Sequence, residues 1–215
     1  MQLGLYVDQN RCTGCFACIV ACKDWNDVLA GPASWIRLKT IEKGQYPNLF
    51  VAFLPTTCCH CENPDCVSVC PAEAITKRDG DGIVVVNRDA CIGRNACGMC
   101  LEACPYDAPQ FGAEENARMQ KCDLCMDRWA EAKKPVCVSS CPIQALDAGP
   151  IEELRAKYGD VREAEGFVYF ESLAPSITFN PKKDFKSLEV RKIEIMPNPG
   201  CGENYTKNSK KSRGG

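Results

Sequence analysis

The chain has 215 residues, of which 18 are cysteine and one is histidine, and its 28 acidic against 26 basic side chains leave a formal charge of −2. That balance argues against a general nucleic-acid surface, which would need clustered lysine and arginine. No apolar run approaches the roughly 18 residues of a membrane span, so no direct span is expected. The hydrophobic fraction of 45% counts the cysteines, and about 37% remains without them, lean for this length. Bound cofactors are therefore expected to replace part of the core, and the apoprotein to fold poorly.

Residues 3–9 (LGLYVDQ) predict a short strand that delivers Asn10 and Arg11 to a first cysteine set. Cys12, Cys15, Cys18 and Cys22 follow CxxCxxCxxxC, the ligand spacing of an iron–sulfur cube. Phe16, Ala17, Ile19, Val20 and Ala21 lie between and after these ligands, where apolar side chains are expected to keep water off the cluster. Cys22 is followed by Lys23 instead of proline. Alternation from Trp35 to Glu42 and the apolar run Leu49 to Leu54, with Gly44 and Pro47 between them, predict a β-hairpin that packs a lobe or contacts a partner.

Residues 58–104 hold two further sets, each closing on Cys-Pro: Cys58, Cys61, Cys66 and Cys70, then Cys91, Cys97, Cys100 and Cys104. A Gly-Asp-Gly turn and a strand from Ile83 to Val86 lie between them and allow the two to fold together. His60 is assigned to packing or a backbone hydrogen bond, with a proton-transfer role as the alternative, and Cys59 is read as a buried spare thiol. Five residues separate Cys91 from Cys97 where two are usual. Counted back from Pro105 the other ligands keep their spacing, which favours a complete four-iron cluster. An alternative register puts Arg94 at the second-ligand position and implies an altered or three-iron cluster; near a complete one, Arg94 would raise the potential.

Cys122, Cys125, Cys137 and Cys141 form a stretched fourth set, with a helix expected over 123–133 in its long gap. Four sets of four use sixteen of the 18 cysteines and leave Cys59 and Cys201. Because the central sets pair locally, the outer two are left to pair with each other, so the sequence predicts one ferredoxin-like lobe inserted in another. Disulfides fit poorly, since MQLGLYVDQNRC does not read as a secretory signal and the chain is long for such dense stapling. A zinc-binding scaffold is the alternative from another class, though zinc favours separated CxxC pairs over runs ending before proline. The cluster thiolates would add roughly −8 to the formal charge. Beyond the sets, a helix is expected over 150–158, a strand over 167–173, a weak alternation over 189–195 and a disordered basic tail from about 200. No GxGxxG or P-loop pattern points to a self-contained reductase.

With CPYDAPQF after the third set and KCDLCMDRWAEAKKPVCVSSCPIQALDAGP around the fourth, the chain resembles the four-cluster iron–sulfur subunit of the DMSO reductase and polysulfide reductase family of molybdopterin oxidoreductases. The resemblance covers about residues 3–180. EKGQYPNLFVAFLP is similar to the polysulfide reductase branch, whereas PIEELRAKYGD looks more like the DMSO reductase branch. It implies an α+β fold of two nested lobes: 1–33 with 113–150 as the outer lobe, 34–53 as the hairpin insertion, 54–112 as the inner lobe and 151–215 as an irregular extension. It implies that Cys141 joins Cys12, Cys15 and Cys18, that Cys22 joins Cys122, Cys125 and Cys137, that Cys104 joins Cys58, Cys61 and Cys66, and that Cys70 joins Cys91, Cys97 and Cys100.

The resemblance also implies a role: a non-catalytic one-electron relay in anaerobic respiration. It would sit between a molybdenum or tungsten bis-pterin catalytic subunit and an integral membrane quinone-reactive subunit, with the last cluster nearest the membrane side. A soluble formate dehydrogenase or hydrogenase complex is the alternative setting. The expected location is at a membrane through partners, on the exported face by co-export with a signal-bearing partner.

Overall fold

A computed structural model describes residues 1–183. Cys201, the alternation over 189–195 and the basic tail lie outside the described residues.

The first strand, β1 (Leu3–Asp8), is buried along its whole length. A strand covered on both faces needs partners at both edges, because its amides cannot be left dry and unpaired. They come from late in the chain. β6 (Leu146–Pro150) runs antiparallel to β1 in the register Leu3 to Pro150 and Val7 to Leu146, and β7 (Ile177–Asn180) runs parallel on the other edge, Leu5 to Ile177. The helix α1 (Ala17–Trp25) follows β1, and the short α5 (Val136–Ser139), which packs against α1, precedes β6. Residues flanking the first and fourth cysteine sets are thus joined by backbone pairing.

The hairpin expected over 35–54 is β2 (Arg37–Lys43) and β3 (Phe50–Thr56), paired antiparallel from Arg37–Thr56 to Lys43–Phe50. It serves packing: Leu54 is buried in the main core with Leu5, Ile177 and Phe179. Arg37 donates to the Tyr106 carbonyl at 2.9 Å and Trp35 Nε1 donates to Gln120 Oε1 at 3.0 Å. Phe53 seats the tip of the first cysteine loop. Gly14 there has φ +70°, and a Cβ would stand 2.7 Å from the Phe53 ring, so both the left-handed backbone and the close approach require glycine.

Between the second and third sets, β4 (Ile75–Lys77) pairs with β5 (Val84–Val86). The helices α2 (Asp65–Ser68) and α3 (Met99–Glu102), one in each set, touch each other. Ile83, Val84, Ile75 and Met119 are buried around this pair.

Two expectations are corrected. The helix of the fourth set is only α4 (Met126–Ala130): Leu124 and Cys125 are left-handed, φ 57° and 51°, and Asp123 Oδ1 accepts the Cys125 N–H at 2.9 Å, a local turn that competes with helix. Residues 167–173 form no strand. β7 already occupies the open edge of β1, and the segment turns instead, with the amides of Leu173 and Ala174 donating to the Phe170 carbonyl, both at 3.1 Å. Its aromatics pack: Phe167 stacks on Tyr106 with centroids 4.8 Å apart. The last helix, α6 (Ile151–Tyr158), starts after Pro150 with Glu152 and Glu153 in its first turn and Arg155 and Lys157 in its last, complementing its dipole.

Candidate cluster-binding sites

A repeated turn shapes three of the four sets. After Cys70, Cys104 and Cys141 comes proline, and the third residue on (Glu73, Asp107, Gln144) is left-handed, φ 49°, 50° and 51°. Its amide returns to the cysteine carbonyl at 3.1 Å in each case. The next residue is alanine every time, buried at Ala74, Ala108 and Ala145. In two sets that alanine's amide donates to the cysteine sulfur, Ala108 to Cys104 Sγ at 3.4 Å and Ala145 to Cys141 Sγ at 3.2 Å. Proline fixes the start of the turn and frees no unneeded amide, and the small alanine lets the backbone approach the sulfur.

Cys22 lacks the proline and lies inside α1, where its surrounding amides are used by the helix. Asn26, four residues on, supplies a side-chain donor instead, 2.9 Å from the Cys22 carbonyl and 3.6 Å from its sulfur. The CPxxA pattern and this asparagine were missed by reading cysteine spacing alone. The repeat CPAEA, CPYDA, CPIQA was the available signal.

The thiols are brought together in four neighbourhoods. Burial is the largest influence on each perturbed thiol and raises its pKa, and repulsion from nearby thiols adds to the rise. Cys18, pushed up to about 11, feels Cys12, Cys141 and Cys15. Cys22, pushed up to about 12, feels Cys125, against the relief given by Asn26, and Cys137, raised well above the ordinary thiol value, feels Cys122, Cys125 and Cys22. Cys61, pushed up to about 12, feels Cys58, Cys104 and Cys66. Cys100, pushed up to about 11, feels Cys91, Cys97 and Cys70. Contacts also run between neighbourhoods: Cys137 feels Cys18, Cys122 feels Cys58 and Cys66 feels Cys100.

Such clustering of groups that repel when ionised calls for positive charge at each centre. Among the described residues no three histidine, cysteine, aspartate or glutamate side chains converge as ligands of one ion would. A cube of iron and sulfide sets its thiolates further apart than a single tetrahedral zinc with bonds of about 2.3 Å, and the donor set, all sulfur with amide donors, fits the former.

The longer loop of the third set is pinned by Asn116, whose Oδ1 accepts the Asn95 amide at 3.0 Å and whose Nδ2 donates to the Ile92 carbonyl at 3.0 Å. Arg94 lies exposed, with its guanidinium 5.0 Å from the centroid of the Phe111 ring. Cys59 is buried in the main core. His60 is fully buried, with Nδ1 accepting the Val84 amide at 3.0 Å, so the backbone-bond assignment holds. The shielding expected of residues 16–21 is corrected in part: Phe16 is 55% and Val20 66% exposed, and Cys15 is exposed beside them. These side chains form an apolar face open to solvent, because α1 packs on α5 through its opposite side.

A 4Fe-4S dicluster domain is matched over residues 49–151. The protein is 45% identical over 188 residues to one of the chains of the anaerobic dimethyl sulfoxide reductase of Escherichia coli, covering 84% of this sequence and 89% of that one. It is 38% identical over 217 residues to one of the subunits of the sulfite dehydrogenase of Allochromatium vinosum, covering 91% and 87%. It is 34% identical over 169 residues to the formate dehydrogenase-O iron-sulfur subunit of Escherichia coli, covering 72% and 55%. With thiol neighbourhoods that fit 4Fe-4S clusters and relatives that are iron–sulfur subunits of oxidoreductases, the protein is an electron-transfer and not a catalytic subunit, and it belongs to the family of dimethyl sulfoxide reductase iron–sulfur subunits.

Proposed function

We propose that the chain carries four [4Fe–4S] clusters and relays single electrons between a molybdenum or tungsten bis-pterin catalytic subunit and a second redox partner, a quinone-reactive membrane subunit in the favoured arrangement. The observation that carries this reading is the thiol neighbourhoods: Cys141 beside Cys12 and Cys18, Cys22 beside Cys125 and Cys137, Cys104 beside Cys61 and Cys66, and Cys70 beside Cys100. Each is a triplet with the closing cysteine of another set. The ligands we assign are therefore Cys12, Cys15, Cys18 and Cys141; Cys22, Cys122, Cys125 and Cys137; Cys58, Cys61, Cys66 and Cys104; and Cys70, Cys91, Cys97 and Cys100. The last cluster is assigned four irons, with Arg94 in the loop and not a ligand.

Bound clusters supply one-electron storage. The protein supplies thiolates, amide donors that stabilise negative sulfur, and burial that excludes water. The β1–β6 pairing supports an outer lobe from 1–33 and 113–150, the β4–β5 pairing an inner lobe from 54–112, with 34–53 as the packing insertion. The apolar face around Phe16 and Val20, beside exposed Cys15, suits docking of the catalytic subunit. No helix among the described residues is long and apolar enough to cross a membrane, so the proposed membrane association, on the exported face, runs through partners.

Anaerobic purification from the native source tests the reading. It predicts a brown protein that co-purifies with a molybdenum- or tungsten-containing subunit and, once reduced, passes electrons to it. A colourless zinc protein, or substrate turnover by this polypeptide alone, would overturn it.

A further inference from the structure

Lys121 is 3% exposed, and its ammonium donates to the carbonyls of Val84 and, at 2.9 Å, Cys122. It forms no ion pair among the described residues, although an ammonium taken out of water costs several kcal/mol unless negative charge meets it. Carbonyl dipoles meet only part of that need. The side chain stands where the second and fourth cysteine sets adjoin. Its charge acts on Cys66 from one side, it is bonded to the Cys122 carbonyl on the other, and Cys122 in turn lies close enough to Cys58 to be repelled by it.

From this placement we infer that Lys121 is the buried counter-charge of the electron step between the cluster of Cys58, Cys61, Cys66 and Cys104 and that of Cys22, Cys122, Cys125 and Cys137. The inference rests on the ligand assignment above. A reduced cluster carries one more negative charge than an oxidised one. A fixed cation in a water-poor interior therefore stabilises the reduced form and raises the potential. The first of the two clusters is affected most, since Lys121 faces Cys66 directly and meets the other only through a backbone carbonyl. Lys121 is thus a positioning charge for the electron, with the secondary task of holding β5 through Val84.

Potentiometric titration followed by electron paramagnetic resonance separates the two tasks. In Lys121→Met with full iron content, the one-electron reduction equilibrium of one cluster should shift at least tenfold toward the oxidised form, about 59 mV. Lys121→Arg, which keeps the charge, should restore most of it. Lys121→Gln retains a donor for the Val84 carbonyl but not the charge, and serves equally if the methionine variant loses iron; it too should shift. Unchanged potentials in an iron-replete neutral variant overturn the inference while leaving the relay intact. Absence of iron–sulfur signals from the unmodified protein would instead remove the ligand assignment on which it stands.

Discussion

Asn26 offers a direct test of how this protein compensates for the missing proline after Cys22. Its amide is the side-chain donor to that thiol, 3.6 Å from the sulfur and 2.9 Å from the carbonyl, on a residue that is only partly buried. Asn26→Leu keeps the approximate size and removes the donor. A neutral hydrogen bond contributes a net ~0.5–1.5 kcal/mol, and since a donor to a thiolate favours the reduced, more negative cluster, its loss should lower the potential. Taking about 59 mV per tenfold change in a one-electron equilibrium, the expected fall is roughly 20–65 mV, toward the lower end because water can reach the site. Asn26→Asp places an acceptor-only carboxylate there and should lower the potential further. The assay is a potentiometric titration of the cluster bound by Cys22, Cys122, Cys125 and Cys137, on samples matched for iron. A potential unmoved in both variants, or raised in the aspartate variant, would refute the reasoning.

Other consequences can be checked with simpler measurements. Asp147 accepts Lys134 Nζ at 2.9 Å, the Tyr158 hydroxyl at 2.9 Å and the Ala148 amide at 2.8 Å. Burial pushes its carboxyl up, but Lys134, Tyr158 and Ala148 together hold it below the ordinary aspartate value. Its contribution is therefore present above the unfolded value of about 3.9 and is lost as pH falls through the lower folded value. Asp147→Asn should reduce resistance to denaturant by about 1 kcal/mol at neutral pH, discounted because Lys134 is about half exposed, and should flatten the acid side of the wild-type stability profile. Cys59→Ala should leave the iron and sulfide content unchanged and cost about 1 kcal/mol through lost packing; loss of a whole cluster would show that Cys59 is a ligand. Asn116→Ala, which frees the longer loop of the third set, should speed loss of iron from that cluster alone under mild chelation, read by the fading of its resonance signal.

Cysteine spacing made the chemistry legible because cluster ligation demands particular residues at particular intervals, and the same intervals carry the family resemblance. Local pattern likewise located β1, the β2–β3 hairpin and α6, each with strong alternation or helix-end signals. What spacing could not show was competition for edges. Residues 167–173 have a strand's composition, yet β7 takes the only β1 edge left after β6, and a tertiary vacancy of that kind has no local signature. The short α4 had a signal that was passed over, since aspartate two residues before an amide often makes a turn. Exposure of Phe16 and Val20 was also hidden: an apolar residue beside a ligand reads the same whether it covers a cluster or a docking face.

The central claim is that four cubes occupy one polypeptide, and quantitative iron and acid-labile sulfide analysis of anaerobically purified protein tests it most directly. Four cubes predict about sixteen of each per polypeptide, with Mössbauer spectra showing only four-iron clusters. A count near eight, or a fourth cluster that remains three-iron after anaerobic reconstitution, would contradict it.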